Sequence, residues 1–159
     1  MGEVRVRIKL TNNVDDVLAK QGKLRANKIR SLELEGIVDT GAVSLALPSH
    51  VVEKLGLTRK FKQLAQFADG RLEEVDVTEP VFVEIMGRNT SEEAMVLGDE
   101  ILIGQTVLEK TDLWIDSRGR RLVPNPAHPN QPVMKVVGVR VVPRPTKPAG
   151  RRKNSAGDS

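Results

Sequence analysis

The 159-residue chain contains no cysteine, no tyrosine, three phenylalanines and one tryptophan. Without cysteine, neither a disulfide framework nor a thiolate metal site can form. The only two histidines, His50 and His128, offer little for metal chemistry, so we expect no metal and no cofactor. The scarcity of aromatic residues argues against a surface on which single-stranded nucleic acid would stack.

Long apolar runs are also missing from the chain. The first ten residues alternate apolar side chains with Arg5, Arg7 and Lys9, so they lack the continuous apolar core of a signal peptide. No stretch approaches the length of a membrane-spanning helix. We therefore expect a soluble, cytoplasmic protein with no membrane partner.

Charge and proline divide the chain into a body and a tail. Residues 124–159 carry seven basic residues against one acid, Asp158, and hold seven of the nine prolines. Residues 1–123 contain 18 basic and 20 acidic residues. This split predicts one domain over 1–123 and a proline-rich basic tail over 124–159. The tail contains one possible strand at 133–142 and ends in a segment predicted to be disordered.

Most of the body has the patterns of β-strands. Val4–Leu10 alternates apolar and charged residues, which is typical of a half-buried strand. Residues 14–22 fit either a short helix or a loop. A helix is predicted from Ser49, as its cap, to Gly56, as its end. The fold is predicted to be mainly β, with further strands at 29–37, 61–77, 81–85, 94–97, 113–115 and 121–123.

One carboxylate stands out against this background. Asp39 follows the β-branched pair Ile37-Val38 and precedes Thr40-Gly41-Ala42. A core carries a carboxylate at some energetic cost, so its position favours a catalytic role. An Asp-Thr-Gly triplet can also be a simple turn at the end of a strand, and the triplet alone does not separate these readings.

Two further features appear downstream of Asp39. An Asp-Gly pair at Asp69-Gly70, between strand-like runs, is a strong hairpin signal. Ile101-Leu102-Ile103-Gly104 is apolar and ends in glycine, which predicts a buried place where another backbone passes close. A helical turn or two is expected over Gln105–Lys110.

Together these stretches resemble the retroviral-type, or retropepsin-like, aspartic proteases and more narrowly their single-domain bacterial members. Val38–Ala42 is similar to the active-site motif, Ala68-Asp69-Gly70 to the turn of the flap hairpin, and Ile101–Gly104 to the second apolar-plus-glycine motif. The resemblance covers roughly residues 1–123. It implies the acid-protease fold, a closed β-barrel that forms half of a two-fold symmetric homodimer.

The resemblance also implies a function. Two carboxyls sharing one proton can activate water and protonate the departing group, but this chain contains a single Asp-Thr-Gly. The expected enzyme is therefore an aspartic endopeptidase in which Asp39 of two subunits meet and cleave a peptide or protein substrate. The catalytic motif comprises Asp39, Thr40 and Gly41. The substrate-binding residues are expected to be Ala42, Ala68, Asp69 and Gly70.

Some features leave alternatives open. Viral members carry an acid and an arginine at the positions of Val43 and Gln105, where the two residues pair near the dimer interface. The strand at 133–142 could join the sheet, pair across the dimer or occupy the cleft. The protein could also be a non-catalytic binding or assembly module whose basic tail holds an acidic partner or nucleic acid. Trp114, the only tryptophan, is expected in the core.

Ala42 generates a prediction about pH. Pepsin-like sites often carry serine here, whose hydroxyl stabilises the ionised carboxyl pair; without it, the shared proton should be retained to higher pH. We expect peptidase activity to be greatest at mildly acidic to near-neutral pH, measured as cleavage rate across a buffer series. A maximum below about pH 3, as in the low-pKa pepsin pair, would contradict this expectation.

Overall fold

The computed structural model describes residues 2–136. Within that range the chain forms three α-helices, one short 3-10 helix at Ala26–Lys28, and eleven strands. The helices are α1 (Asn13–Lys20), α2 (Ser49–Leu55) and α3 (Gln105–Thr111). The strands are β1 (Val4–Asn12), β2 (Ser31–Val38), β3 (Leu45–Leu47), β4 (Arg59–Gln66), β5 (Leu72–Thr78), β6 (Val81–Ile85), β7 (Arg88–Glu92), β8 (Ala94–Val96), β9 (Ile101–Ile103), β10 (Leu113–Asp116) and β11 (Arg121–Pro124).

Nine of these strands form one mixed sheet in the order β4-β5-β8-β3-β9-β2-β1-β6-β7, and β10 pairs with β11 separately. Strands dominate, as predicted, but the sheet is open: β4 and β7 are its two edges, and no barrel closes within residues 2–136. The expected closed barrel is not found because the two edges do not meet: β4 pairs only with β5, and β7 pairs only with β6. Basic side chains along an edge strand, here Arg59, Lys60 and Lys62, disfavour pairing with another edge.

Strand β9 lies between the two strands that flank Asp39. It runs parallel to β2, with Val38 opposite Ile103, and antiparallel to β3, with Leu45 also opposite Ile103. The chain leaving β2 must therefore cross the end of β9 before it returns as β3. This crossing places residues 39–44 over the carboxyl end of β9.

A single apolar core lies behind this crossing. The β3 residues Leu45, Ala46 and Leu47 are at most 1% exposed, and Ile103 of β9 is fully buried. Side chains from β1, β6, α2, α3 and the β10–β11 pair belong to the same cluster. The Asp39 turn is therefore attached to the most deeply buried part of the sheet.

Several local predictions agree with the structure. The ambiguous segment after Asn12 forms the helix α1, and Asn12 caps it by accepting a hydrogen bond from the Asp15 amide. Helix α2 buries Val51, Val52 and Leu55 and ends at Gly56, whose φ is +63°. Its N-cap is Pro48 rather than the predicted Ser49, and no side chain bonds that end.

Strand β7 was not predicted from the sequence, and neither were the short strands β3 and β9. The inward-facing residues of β7 are Arg88, Thr90 and Glu92, all buried and all polar. A strand with polar side chains facing inward has no apolar alternation to reveal it. These groups are paired: Thr90 and Lys110 both bond the Glu92 carboxylate, at 2.9 Å.

The predicted burial of Trp114 is wrong. Its side chain is 54% exposed, whereas Leu113 beside it is buried in the core. Alternate residues of a strand face opposite ways, so Leu113 takes the inward position and turns Trp114 outward.

The last strand, β11, ends at Pro124, where the tail was predicted to begin. Of the possible strand at 133–142, residues 133–136 are irregular and the rest lies outside the described residues. Within residues 2–136, no helix is both long and apolar enough to cross a membrane.

Candidate active site

Asp39 lies in a tight turn directly after β2. Its amide donates to the Ile103 carbonyl oxygen at 3.0 Å, and its own carbonyl accepts from the Ala42 amide at 3.1 Å. One carboxylate oxygen, Oδ1, accepts from the Gly41 amide at 2.9 Å. No hydrogen bond from residues 2–136 reaches Oδ2. The side chain is half-buried, so it combines a fixed oxygen with one that is open to further partners.

Gly104 brings a second backbone against this turn. A Cβ placed on Gly104 would collide with the Ser44 carbonyl oxygen and would lie 2.6 Å from that of Ala42. The φ of Gly104 is −86°, so close approach, and not an unusual backbone angle, requires glycine here. The predicted close passage of another backbone is confirmed.

Backbone hydrogen bonds then join the Asp39 turn to the start of α3. The amides of Gln105 and Thr106 donate to the carbonyls of Ala42 and Val43, both at 2.9 Å. The side chains of Val43 and Gln105 do not make this connection. Val43 is 73% exposed, and Gln105 bonds Glu109 within the helix.

The predicted flap residues lie in the β4–β5 hairpin and not in the Asp39 turn. Ala68, Asp69 and Gly70 form the exposed tip of the β4–β5 hairpin, and Gly70 has a φ of +85°. The Asp69 carboxylate bonds both the amide and the guanidinium of Arg71, the latter at 2.7 Å. Within residues 2–136, no hydrogen bond or ion pair joins this tip to the Asp39 turn. The hairpin prediction is confirmed, whereas a role as a flap stays a prediction.

An open groove of about 770 Å³ has Thr40 in its lining. Residues of α3, of β10 and of the first part of the tail form the rest of the lining. Its lining includes Thr40, Leu108, Trp114, Ile115, Val133 and Met134. Asp39 is not part of this lining, so the groove approaches the turn from the Thr40 side.

Asp112 attaches the tail to the body at this groove. Residue 112 follows α3 with a φ of +54°. Its carboxylate accepts hydrogen bonds from Asn125 Nδ2 at 2.9 Å, the Val133 amide at 3.0 Å and His128 Nδ1 at 2.6 Å. These bonds, the Asn125 bond most of all, lower the pKa of Asp112 from 3.8 to about 2, although partial burial opposes the shift.

Arg88 completes this attachment from the other side. Its guanidinium, only 6% exposed, donates to the carbonyl oxygens of Thr111, Asp112 and His128. One buried cation therefore joins β7 to the end of α3 and to the tail at His128. Residues 125–133 are thus fixed to the end of α3 and are part of the folded body.

Sequence patterns found the Asp39 turn and Gly104 but missed Asp112 and its partners. Asp112 lies two residues after the helical turn predicted over Gln105–Lys110, which is a weak signal for a helix end. Nothing local relates it to His128, sixteen residues later, or to Arg88, which lies on the unrecognised β7. Only the tertiary structure brings these side chains together.

No protein-family model matches this chain, and no curated protein matches it significantly. Within residues 2–136, no three His, Asp or Glu side chains are grouped so that they could hold a metal ion.

The contact at Gly104 leads to a prediction about stability. Gly104→Ala should lower the free energy of unfolding by about 1–3 kcal/mol or more, because the new methyl meets backbone that cannot move away cheaply. Urea unfolding measures this. Gly2→Ala is the matched control, since a Cβ there meets only the flexible end of Arg120. Equal stability of both variants would contradict the close packing.

The lowered pKa of Asp112 predicts acid sensitivity. Between about pH 4 and pH 2 the unfolded chain protonates this carboxyl while the folded chain keeps it ionised, so its stabilising effect is complete above this window and lost as pH falls through it. Asp112→Asn should flatten the fall in unfolding free energy over that range, measured by urea unfolding. In this variant Asp76 and Asp116, whose pKa values are also lowered, still contribute to the fall in unfolding free energy. The exposed Asp99→Asn should retain the whole fall.

Proposed function

We propose that the protein is an aspartic endopeptidase of the retropepsin-like type, active as a homodimer. Each subunit contributes one Asp39, and the two carboxyls hold the attacking water between them. The observation that carries this proposal is the fixed Asp39 turn at the end of β2, positioned by the inserted strand β9 and by Gly104.

The hydrogen bonding of Asp39 supports an acid–base role. Gly41 holds Oδ1 at 2.9 Å, which sets the orientation of the carboxyl plane. Oδ2 has no hydrogen-bond partner within residues 2–136, so it is available to a water molecule or to a second carboxyl. A general base requires such an open oxygen, since it must come within hydrogen-bond reach of the proton that it takes.

The proposed reaction needs two carboxyls in different protonation states. The ionised one takes a proton from water as the water oxygen attacks the peptide carbonyl carbon. The protonated one gives its proton to the carbonyl oxygen, producing a tetrahedral intermediate. As the C–N bond breaks, the carboxyl that took the water proton gives it to the departing nitrogen, and the other carboxylate takes a hydroxyl proton from the intermediate, which leaves one proton on the pair again. Two like charges held close together cannot both ionise easily, which keeps one proton on the pair.

A two-fold axis follows from the presence of one such turn per chain. The same residues must face each other across an axis that passes beside Asp39. Thr40, exposed at the outer side of the turn, is positioned to bond the partner's turn, as the resemblance implies. Gly41 leaves room for substrate to approach the backbone. A separated subunit would hold half of a site and should be inactive.

The β4–β5 hairpin is the proposed cover. Its arms are long and its tip is exposed, with Leu64 and Leu72 each more than 60% exposed. Closure over a bound peptide would bury these side chains and exclude water from the carboxyls. In this proposal Ala68, Asp69 and Gly70 contact the substrate backbone.

The direct test removes the proposed catalytic charge. Asp39→Asn should lower the rate of peptide cleavage by about 10²–10⁴-fold or more, because amides neither accept nor donate the required proton. Cleavage of a diverse peptide mixture, analysed by mass spectrometry, measures this. The variant should still form dimers in sedimentation. The exposed Asp99→Asn controls for the loss of a carboxylate as such and should cleave normally.

Failure to cleave any peptide from acidic to neutral pH, by a wild-type protein that forms dimers, would overturn the enzymatic proposal. It would favour the non-catalytic binding module instead. Undiminished cleavage by Asp39→Asn would also contradict the assignment, since the activity would then come from another site or from a contaminant.

A further inference from the structure

We propose that the connection between α1 and β2 binds an acidic segment of a partner polypeptide. The site consists of the basic loop, defined as residues 20–28, and of the recess beside it. This inference does not depend on the proposed peptidase activity, because it concerns another part of the surface and is tested by binding alone.

The basic loop lies in a stretch without acidic residues. Between Asp16 and Glu33 the chain has five basic residues and no aspartate or glutamate. Arg30 lies just beyond the loop and pairs with Asp15 at 2.8 Å, and Lys20 pairs with Asp16 at 3.0 Å. The other three are all exposed to solvent: Lys23, Arg25 and Lys28.

These three cations have no carboxylate partner in the part of the chain that the structure describes. Basic residues on β1 and β4 are paired, since Arg5, Arg7 and Arg59 each lie 2.9 to 3.3 Å from one or more carboxylates. The loop cations are close together in sequence and carry the same sign, so their fields add. The basic loop is therefore a positive surface to which an anionic partner would be attracted.

Backbone hydrogen bonds give the basic loop a fixed shape. The Lys23 amide donates to the Leu18 carbonyl at 2.8 Å and joins the loop to the end of α1. The Lys28 amide donates to the Arg25 carbonyl at 2.9 Å within the short 3-10 helix. A partner therefore meets a preformed surface and loses little binding free energy in ordering it.

Arg30 fastens the far end of the loop. Its Nε and Nη2 donate to the two carboxylate oxygens of Asp15 at 2.8 and 3.0 Å, and its carbonyl accepts from the Asn12 amide at 2.9 Å. The Asp15 carboxylate is buried. The charge of Arg30 is thus neutralised within the fold, which leaves the three exposed cations as the binding groups.

The recess beside the loop favours a polypeptide over a nucleic acid. It has a volume of about 450 Å³, and its lining includes Lys20 and Ala26 of the loop together with the carboxylates of Asp16 and Glu84. A nucleic acid is negatively charged along its whole backbone, so it would meet these carboxylates beside the loop. A polypeptide can place acidic side chains on the loop and neutral or basic ones in the recess.

The basic loop lies at the end of β2 that is remote from Asp39. Strand β2 has eight residues, and at about 3.3 Å per residue its two ends lie roughly 25 Å apart. A segment bound at the loop therefore does not need to cover the Asp39 turn.

The test measures binding of fluorescein-labelled hexaglutamate to the full chain by fluorescence anisotropy at low salt. The triple variant Lys23→Gln/Arg25→Gln/Lys28→Gln should raise the dissociation constant by about tenfold, as for the loss of three exposed ion pairs. Added salt should weaken wild-type binding, because it screens exposed charges. A wild type that binds hexaglutamate no more tightly than hexaglutamine would overturn the proposal.

The matched control is Lys60→Gln/Arg118→Gln/Lys135→Gln, which removes three exposed cations from other parts of the surface. It lowers the net charge by the same amount and should bind hexaglutamate as the wild type does. An equal loss of binding in both triple variants would overturn the site, since binding would then follow net charge and not position.

Amide chemical shifts locate the contact without any substitution. In the NMR spectrum of the wild type, hexaglutamate should move the amide signals of residues 20–30. Shifts confined to other residues would contradict the assignment to the basic loop.

A short DNA duplex is the second probe. It should bind more weakly than hexaglutamate, because the recess carries carboxylates. Tighter binding of the duplex that is weakened by the loop variant and not by the control would overturn the choice of a polypeptide as the partner.

Discussion

The close passage of Gly104 beneath residues 42–44 is the constraint on which the rest of the site depends. The Asp39 turn crosses β9, and this crossing is possible only if the backbone after β9 carries no side chain at that point. The same passage brings the first amides of α3 within reach of the carbonyls of Ala42 and Val43. Because Gly104 has no side chain, the two backbones come close enough to form hydrogen bonds. These backbone hydrogen bonds fix the turn that holds Asp39.

This arrangement explains how the turn can hold its shape without the charged pair found in viral relatives of the proposed family. Exposed ion pairs contribute little to stability, and losing both partners leaves no unpaired buried charge. The amide bonds of Gln105 and Thr106 connect the same two segments within one subunit. The Val43 side chain consequently takes no part in holding the turn and is exposed.

The parts of the structure that could be predicted are those with a local cause. Asp-Gly at 69–70 sets a hairpin turn, Gly56 ends a helix in the left-handed conformation, and apolar alternation identifies β1. Strand β7 was not predicted because its buried residues are polar and bond to partners on α3 and on the tail. The open sheet was not predicted for a related reason. A barrel closes only if β4 meets the other edge strand, β7, and the pattern within one strand does not show which strand it will meet.

The tail shows the same limit for predictions made from amino-acid composition. Proline and basic residues predicted an appendage from residue 124, and yet Asn125, His128 and Val133 all bond one carboxylate of the body. Composition averages over a segment, whereas anchoring needs only a few groups in the right places. A close backbone approach such as the one at Gly104 requires one residue type, so it can be recognised in the sequence. Exposed apolar side chains such as Trp114 and Met134 meet no comparable requirement, so their positions leave almost no pattern in the sequence.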